Sequence, residues 1–263
     1  MKAAFRERYQ AGDSLLHQLD PRVKVVMILV LITGIVLTPE RAWPAYPLLW
    51  ALIGALAAVG RLGVRRVARM GGLALPFTLA AATLLFTLPG RPVVTVLGLT
   101  ISDAGLARFL SIVLKSWLAV QSALILSMTT SFTDLLWAFS SLRVPRVLVA
   151  IISFMYRYLF TLQDEAQRLM RARAARSGTV TGRKSGGGLV WRARVAGHMV
   201  GSLFLRSYER SERVYAAMLA RGYTGQMRMI SPPPLTIGAI GQGAIPILAL
   251  ALIEALAVLW WRR

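Results

Sequence analysis

Cysteine is absent from the 263-residue sequence and histidine occurs only twice, at positions 17 and 198. No disulfide, thiolate metal site or cysteine nucleophile can therefore be built. Two histidines and ten scattered methionines do not make a metal site of the chain's own; His17 is read as packing the N-terminal arm, and no cofactor is expected. Acidic residues are also scarce, 11 Asp and Glu against 31 Lys and Arg, which leaves a net charge of +20. The first twenty residues are charged and polar; without an apolar stretch there, no cleavable signal peptide is expected. Yet 56% of the chain is hydrophobic. These facts conflict in a soluble protein and coexist in a polytopic membrane protein, where apolar spans alternate with basic loops. Nucleic-acid binding, the generic meaning of such basicity, is set aside because the charge is interleaved with the spans.

Five stretches reach or approach the roughly twenty residues a span requires: 23–37, 44–59, 72–88, 106–128 and 235–261. The first is well marked at its start, because Asp20 can cap a helix whose first residue is Pro21. Lys and Arg concentrate in the N-terminal arm (Lys2, Arg6, Arg8, Arg22, Lys24) and in the loop after the second span (Arg61, Arg65, Arg66, Arg69). The loops after the first and third spans hold only Glu40 with Arg41, and Arg91 with Asp103. The positive-inside rule then places the N-terminus in the cytoplasm and returns the chain there near Thr130. A sixth apolar stretch, 144–162, contains Arg157 and runs into Gln163, Asp164 and Glu165. Were it to cross, the most Arg-rich part of the chain would lie outside, so it is expected to lie along the cytoplasmic interface as half of a long amphipathic helix. The expected fold is all-α, with about five transmembrane helices plus long cytoplasmic or interfacial amphipathic helices. Its domains are 1–130, a domain of cytoplasmic helices over 131–230, and a final span over 231–263.

The Arg-rich block divides into three helical patterns. The first is 132–142, with Ser131 as N-cap. The second opens at Pro145 and runs to about Arg176, and the third runs from about Trp191 to Arg221. In the third, Phe204, Tyr208, Ser211, Tyr215, Met218 and Gly222 share one stripe, and Arg206, Glu209, Arg210 and Arg213 another; Glu209 and Arg213 are spaced for an (i, i+4) pair. Both long helices end in Ala-Arg followed by a small residue: Ala175-Arg176-Ser177 and Ala220-Arg221-Gly222. Arginine presents a planar fork of donors, and small neighbours let a partner's surface come close, so such a helix end can act as a knob in a socket. The connector between the helices is rich in Gly, Ser and Thr. Its stretch 178–185 misses a phosphate-binding loop because Arg183 stands where glycine must precede the lysine.

Two charged residues fall within spans, Lys115 and Glu254, where each is expensive unless paired or near an interface. Their similar depths allow an ion pair between the fourth and fifth spans; the alternative is that Lys115 snorkels outward and Glu254 faces a partner subunit. The spans hold no His-Glu cluster and no Ser-His-Asp set, which argues against an integral-membrane enzyme.

The run Ser14-Leu-Leu-His17-Gln-Leu-Asp20-Pro21-Arg22-Val-Lys24, the two Ala-Arg triplets, and the stretch from Gly201 through Glu209, Arg213 and Ala220 to Tyr223 together resemble the transmembrane T component of energy-coupling factor (ECF) transporters, in particular the CbiQ-type subunit of cobalt and nickel importers. Ser177 departs from the glycine common at that position. The resemblance implies a non-enzymatic, multi-pass subunit of the bacterial cytoplasmic membrane. It implies that Arg176 and Arg221 each enter a groove on one of two cytosolic ABC ATPase subunits. It also implies that the motion passes to a membrane substrate-capture subunit (CbiM/CbiN-like). A T component serving vitamin-binding capture subunits is the nearest alternative, and a scaffold binding anionic lipid through the basic block is an alternative of another class.

Overall fold

The structure is a computed structural model and describes residues 9–72, 79–83, 85, 92–96, 99–176, 188–224 and 235–261. It is helical apart from one short hairpin. The helices are α1 (Leu15–Gln18), α2 (Pro21–Leu37), α3 (Ala45–Val59), α4 (Val64–Gly71), α5 (Asp103–Thr129), α6 (Phe132–Ser141), α7 (Arg146–Arg176), α8 (Leu189–Ala220) and α9 (Ile237–Trp261), with a short 3₁₀ turn at Leu79–Thr83. The hairpin pairs β1 (Pro92–Val96) with β2 (Leu99–Ser102) antiparallel, Val94 opposite Ile101 and Val96 opposite Leu99. Most of the stretch 72–88, expected as the third span, lies outside the described residues.

Among the described residues, three helices are long and apolar enough to cross a membrane: α5, the stretch Ile237–Leu259 of α9, and α7. The inclusion of α7 rests on its first half; its second half carries Asp164, Glu165, Arg168, Arg171, Arg173 and Arg176. Helix α3 is apolar but shorter, and α2 has 17 residues.

The chain forms two compact units, Met1–Leu142 with Ser231–Arg263, and Arg143–Ile230. The short helix α6, grouped above with the domain over 131–230, thus falls in the first unit, where it packs on α2.

In the first unit α2 is central, packed by α5, α6 and α9. Its N-terminus forms as the sequence dictates: the Asp20 carboxylate accepts the Arg22 N–H at 2.8 Å and Pro21 occupies the first turn, where its missing N–H costs nothing. The face Ile28, Leu31 and Ile35 recurs at helical spacing and is buried in one cluster with Leu49, Ile53, Leu118, Ile125 and Leu250. Val26, Leu29, Val36 and Leu37 point outward instead, the arrangement of a helix whose other face meets lipid. Gly34 is a point of close approach between α2 and α9, since a β-carbon there would stand 2.6 Å from the Leu250 methyl. Leu250 is itself buried and cannot swing aside freely. Gly34→Val is therefore expected to lower stability by about 1–3 kcal/mol through overpacking, read as an earlier midpoint in detergent unfolding. An unchanged midpoint would show that Leu250 repacks without penalty.

Polar contacts sort the two ends of this unit. At one end the Gln10 side chain accepts from Arg66 at 3.4 Å, so the basic N-terminal arm and the basic loop after α3 meet. At the other end Arg108 pairs with Glu40 at 3.2 Å and Arg41 with Asp103 at 3.9 Å, joining the two charge-poor loops. The alternation read from the charge pattern is thus a spatial separation in the fold.

Candidate functional site

The second unit is built on α7 and α8. Residues of α7 from Phe154 to Arg176 line two hollows together with Tyr223 and residues of α8 from Met218 back to Trp191; the two helices therefore run antiparallel along each other. Phe154, Tyr158 and Leu162 meet Val214, Tyr215 and Met218 at one end, and Arg173 and Arg176 meet Trp191 and Val195 at the other. Arg176 and Arg221, the C-terminal ends of the two helices, consequently lie at opposite ends of the pair. At 1.5 Å per residue the thirty residues separating Trp191 from Arg221 span about 45 Å.

Each arginine owes its placement to local chemistry. Arg176 is the last residue of α7 and, like Ala175, is exposed; Ser177 lies outside the described residues, as does the stretch 178–185. A cation suits this position because the last carbonyls give a helix C-terminus partial negative charge. Arg221 is the C-cap of α8, and the turn beyond it is closed by two bonds, Gly222 N–H to the Leu219 carbonyl at 2.9 Å and Tyr223 N–H to the Met218 carbonyl at 3.0 Å. This pair is the Schellman motif, with Gly222 at φ +80° in the left-handed region that glycine alone enters without strain. Tyr223 and Met218 line the same hollow, supplying the apolar contact that accompanies the motif. Ala220, Arg221 and Gly222 are all exposed. The small residue after the arginine is thus a requirement of the backbone as well as a means of close approach.

The helices are tied at their middle by Glu165, which pairs with Arg206 at 3.6 Å and with Arg210 at 3.0 Å. This differs from the sequence expectation: no Glu209–Arg213 pair is among the described ion pairs, and two of the arginines on that second stripe, Arg206 and Arg210, pair with α7. Helical spacing alone indicates an (i, i+4) partner but carries no information about a carboxylate on the neighbouring helix. Around Glu165 lies a hollow of about 940 Å³ with Asp164, Arg168, Arg173, Arg176 and Trp191 on its walls. Arg173 stacks 5.9 Å from the Trp191 ring centre. A second, apolar hollow of about 400 Å³ is bounded by Tyr158, Tyr215, Tyr223 and Met218. Neither was anticipated; the tyrosines were the available signal, but their convergence needs the antiparallel pairing.

Apolar side chains on this pair face outward to an unusual extent. Val147, Leu148, Ile151 and Met155 on α7 and Leu189, Val190, Val200, Phe204 and Leu205 on α8 are at least half exposed, and α8 has no buried residue at all. An apolar surface of that extent marks contact with a membrane or another protein.

The intramembrane charges find different partners from the pair expected. Lys115 donates to the Val36 carbonyl at 3.1 Å and Glu254 accepts from the Thr38 hydroxyl at 2.7 Å; no Lys115–Glu254 ion pair is among those described. Both groups instead converge on the C-terminus of α2. The last carbonyls of that helix lack intrahelical donors, so the ammonium satisfies one of them, while Glu254 holds the buried C-cap Thr38 from α9. Among the described residues no three His, Asp or Glu side chains come together as a metal site.

Comparison with known proteins agrees with this architecture. The model of the CbiQ family, described as cobalt transport protein, matches residues 12–231. The energy-coupling factor transporter transmembrane protein EcfT of Listeria innocua is 29% identical over 83% of this chain and 84% of its own length. The EcfT of Brevibacillus brevis is 27% identical over 97% of both chains. The cobalt transport protein CbiQ of Rhodobacter capsulatus is 29% identical over 54% of this chain and 57% of its own. A family match spanning both units, together with apolar helices of membrane length, makes this chain a membrane protein of the CbiQ family, a CbiQ-type transmembrane component of the energy-coupling factor transporters.

Proposed function

We propose that the chain is the coupling subunit of an ATP-driven importer, in which Arg176 and Arg221 each dock into one of two cytosolic ABC ATPase subunits and the α7–α8 pair transmits their motion to a membrane-embedded substrate-capture subunit. The observation that carries this reading is the pair of exposed arginines held at helix C-termini at opposite ends of one antiparallel helix pair. Rigid helices of this length act as levers, because displacement at one end is conveyed along packed elements. The exposed apolar faces of α7 and α8 supply the surface on which such a lever slides or docks. ATP hydrolysis belongs to the partners in this reading, and this chain is no enzyme.

The orientation that fits is a multi-pass protein of the bacterial cytoplasmic membrane with a cytoplasmic N-terminus. The end of the first unit where Gln10 meets Arg66 then faces the cytoplasm, and the end with Glu40, Arg41, Asp103 and Arg108 faces outward. The α7–α8 pair stays on the cytoplasmic side, its first half at the interface. The twelve arginines from Arg146 to Arg213 make full crossing the less favourable arrangement.

Cobalt, with nickel as its chemical neighbour, is the solute that the family's description favours. A second reading is supported by the coverage of the EcfT relatives: the chain serves capture subunits for other solutes, vitamins among them. A mild-detergent purification of the tagged chain, with its co-purifying subunits identified, tests both. Two ATPase subunits and a metal-binding capture subunit are expected. Recovery with no ATPase overturns the coupling role, and a vitamin-binding partner overturns cobalt.

A further inference from the structure

The C-terminus of α5 is held by the start of the chain. Four carbonyls at a helix end lack intrahelical donors. Here Met128 receives the Gln10 N–H at 3.0 Å, and Thr129 receives the Lys24 ammonium at 3.1 Å. Lys24 stands in the first turn of α2, only 2% exposed, and donates also to the His17 carbonyl at the end of α1, at 3.3 Å. One ammonium therefore joins the C-terminal ends of two helices, where the partial charge is negative. The His17 ring, in turn, bonds Ser14 Oγ at 2.6 Å and the Gln10 carbonyl at 2.8 Å, which fixes the arm that reaches Met128. Two residues before Lys24, the Arg22 guanidinium lies 4.2 Å from the centre of the Trp137 ring on α6, within cation–π range. Between α5 and α6 only Thr130 and Ser131 intervene, and after Leu142 the chain enters the second unit.

We propose that Gln10, His17, Arg22 and Lys24 form a clamp that immobilises the α5–α6 junction, and that Lys24 is a positioning residue for force transmission. The inference rests on the coupling role proposed above. A lever delivers its stroke only if its root does not yield, and a slack root absorbs displacement as local bending. A buried ammonium costs free energy unless its donors are satisfied. Here its partners are main-chain carbonyls of two separate helices, so its satisfaction requires those helices to hold their positions.

The test uses Lys24→Met and Lys24→Arg. In the detergent-solubilised chain, amides of residues 128–135 in Lys24→Met are expected to exchange with solvent about tenfold faster, the factor matching loss of a hydrogen bond to a charged group. In the reconstituted complex with its ATPase and capture subunits, ATP hydrolysis stays within about twofold while Co²⁺ delivered per ATP falls about tenfold, and Lys24→Arg recovers part of it. Unchanged exchange overturns the clamp, and faster exchange with unchanged Co²⁺ per ATP overturns its role in transmission. Should Lys24→Met fail to insert, Trp137→Leu leaves Lys24 in place and removes the ring beneath Arg22. Faster exchange over residues 132–141 and a lower Co²⁺ yield per ATP are then expected, and neither changing overturns the proposal. A wild-type complex that takes up no Co²⁺ refutes the cobalt reading alone, leaving amide exchange to decide the clamp.

Discussion

Replacing Arg176 and Arg221 together by Glu is expected to abolish both co-purification of the ATPases and transport, while the chain still inserts into the membrane. Arginine anchors at the centre of an interface typically carry about 2 kcal/mol or more each, so one reversal lowers affinity at its socket by at least about thirtyfold. The two sites are far apart on the α7–α8 pair, so their effects should add, and each single reversal should release one ATPase before the other. Gly222→Val provides a separate check. A β-branched residue resists the φ of +80° found there, so the Schellman turn opens and Arg221 loses its presentation with its charge intact. Transport in Gly222→Val should fall toward that of the Arg221 reversal. A complex bearing both Glu substitutions that still couples ATP hydrolysis to uptake would falsify the central proposal.

Glu165→Arg should be nearly as damaging by a different route. The Glu165 side chain is only 16% exposed and meets two guanidinium groups, and α8 has no fully buried residue, so its apolar packing on α7 is light. Reversal leaves three arginines facing one another in a partly enclosed hollow. Breaking a buried ion pair from one side costs about 3 kcal/mol or more, although the exposure of Arg206 reduces its share of that figure. The expected result is rapid proteolysis within residues 189–220 and loss of uptake, with the first unit unaffected. Combining Glu165→Arg with Arg210→Glu should restore much of the protection, because the opposite charges again face each other. If the single variant keeps both protection and uptake, contacts other than this bridge hold the pair together.

Much of the fold was legible because its signals are local. Asp20 and Pro21 mark a helix start whose partners lie within two residues, and the capping follows from their own chemistry. The ends of α7 and α8 fall at Arg176 and Ala220, adjacent to the triplets read from the sequence. The Glu209–Arg213 spacing was equally legible and yet misleading: both residues sit on one helix, but a better acceptor for the neighbouring arginines stands on another. Lys115 and Glu254 show the same limit. Both reach the same end of α2, but that end offers a carbonyl to one and a hydroxyl to the other. Depth follows from counting along a helix, whereas partnership depends on which helix stands between.

By itself the sequence determined the class of protein, the alternation of basic and charge-poor loops and the positions of Arg176 and Arg221 at two helix ends, because hydropathy, charge and helix-end chemistry act over a few residues. Only the tertiary structure decided that Arg176 and Arg221 lie at opposite ends of an antiparallel pair, that Glu165 ties that pair together, and that Lys24 holds the end of α5. Each of these depends on groups far apart in the chain, and their meeting is set by how whole helices pack.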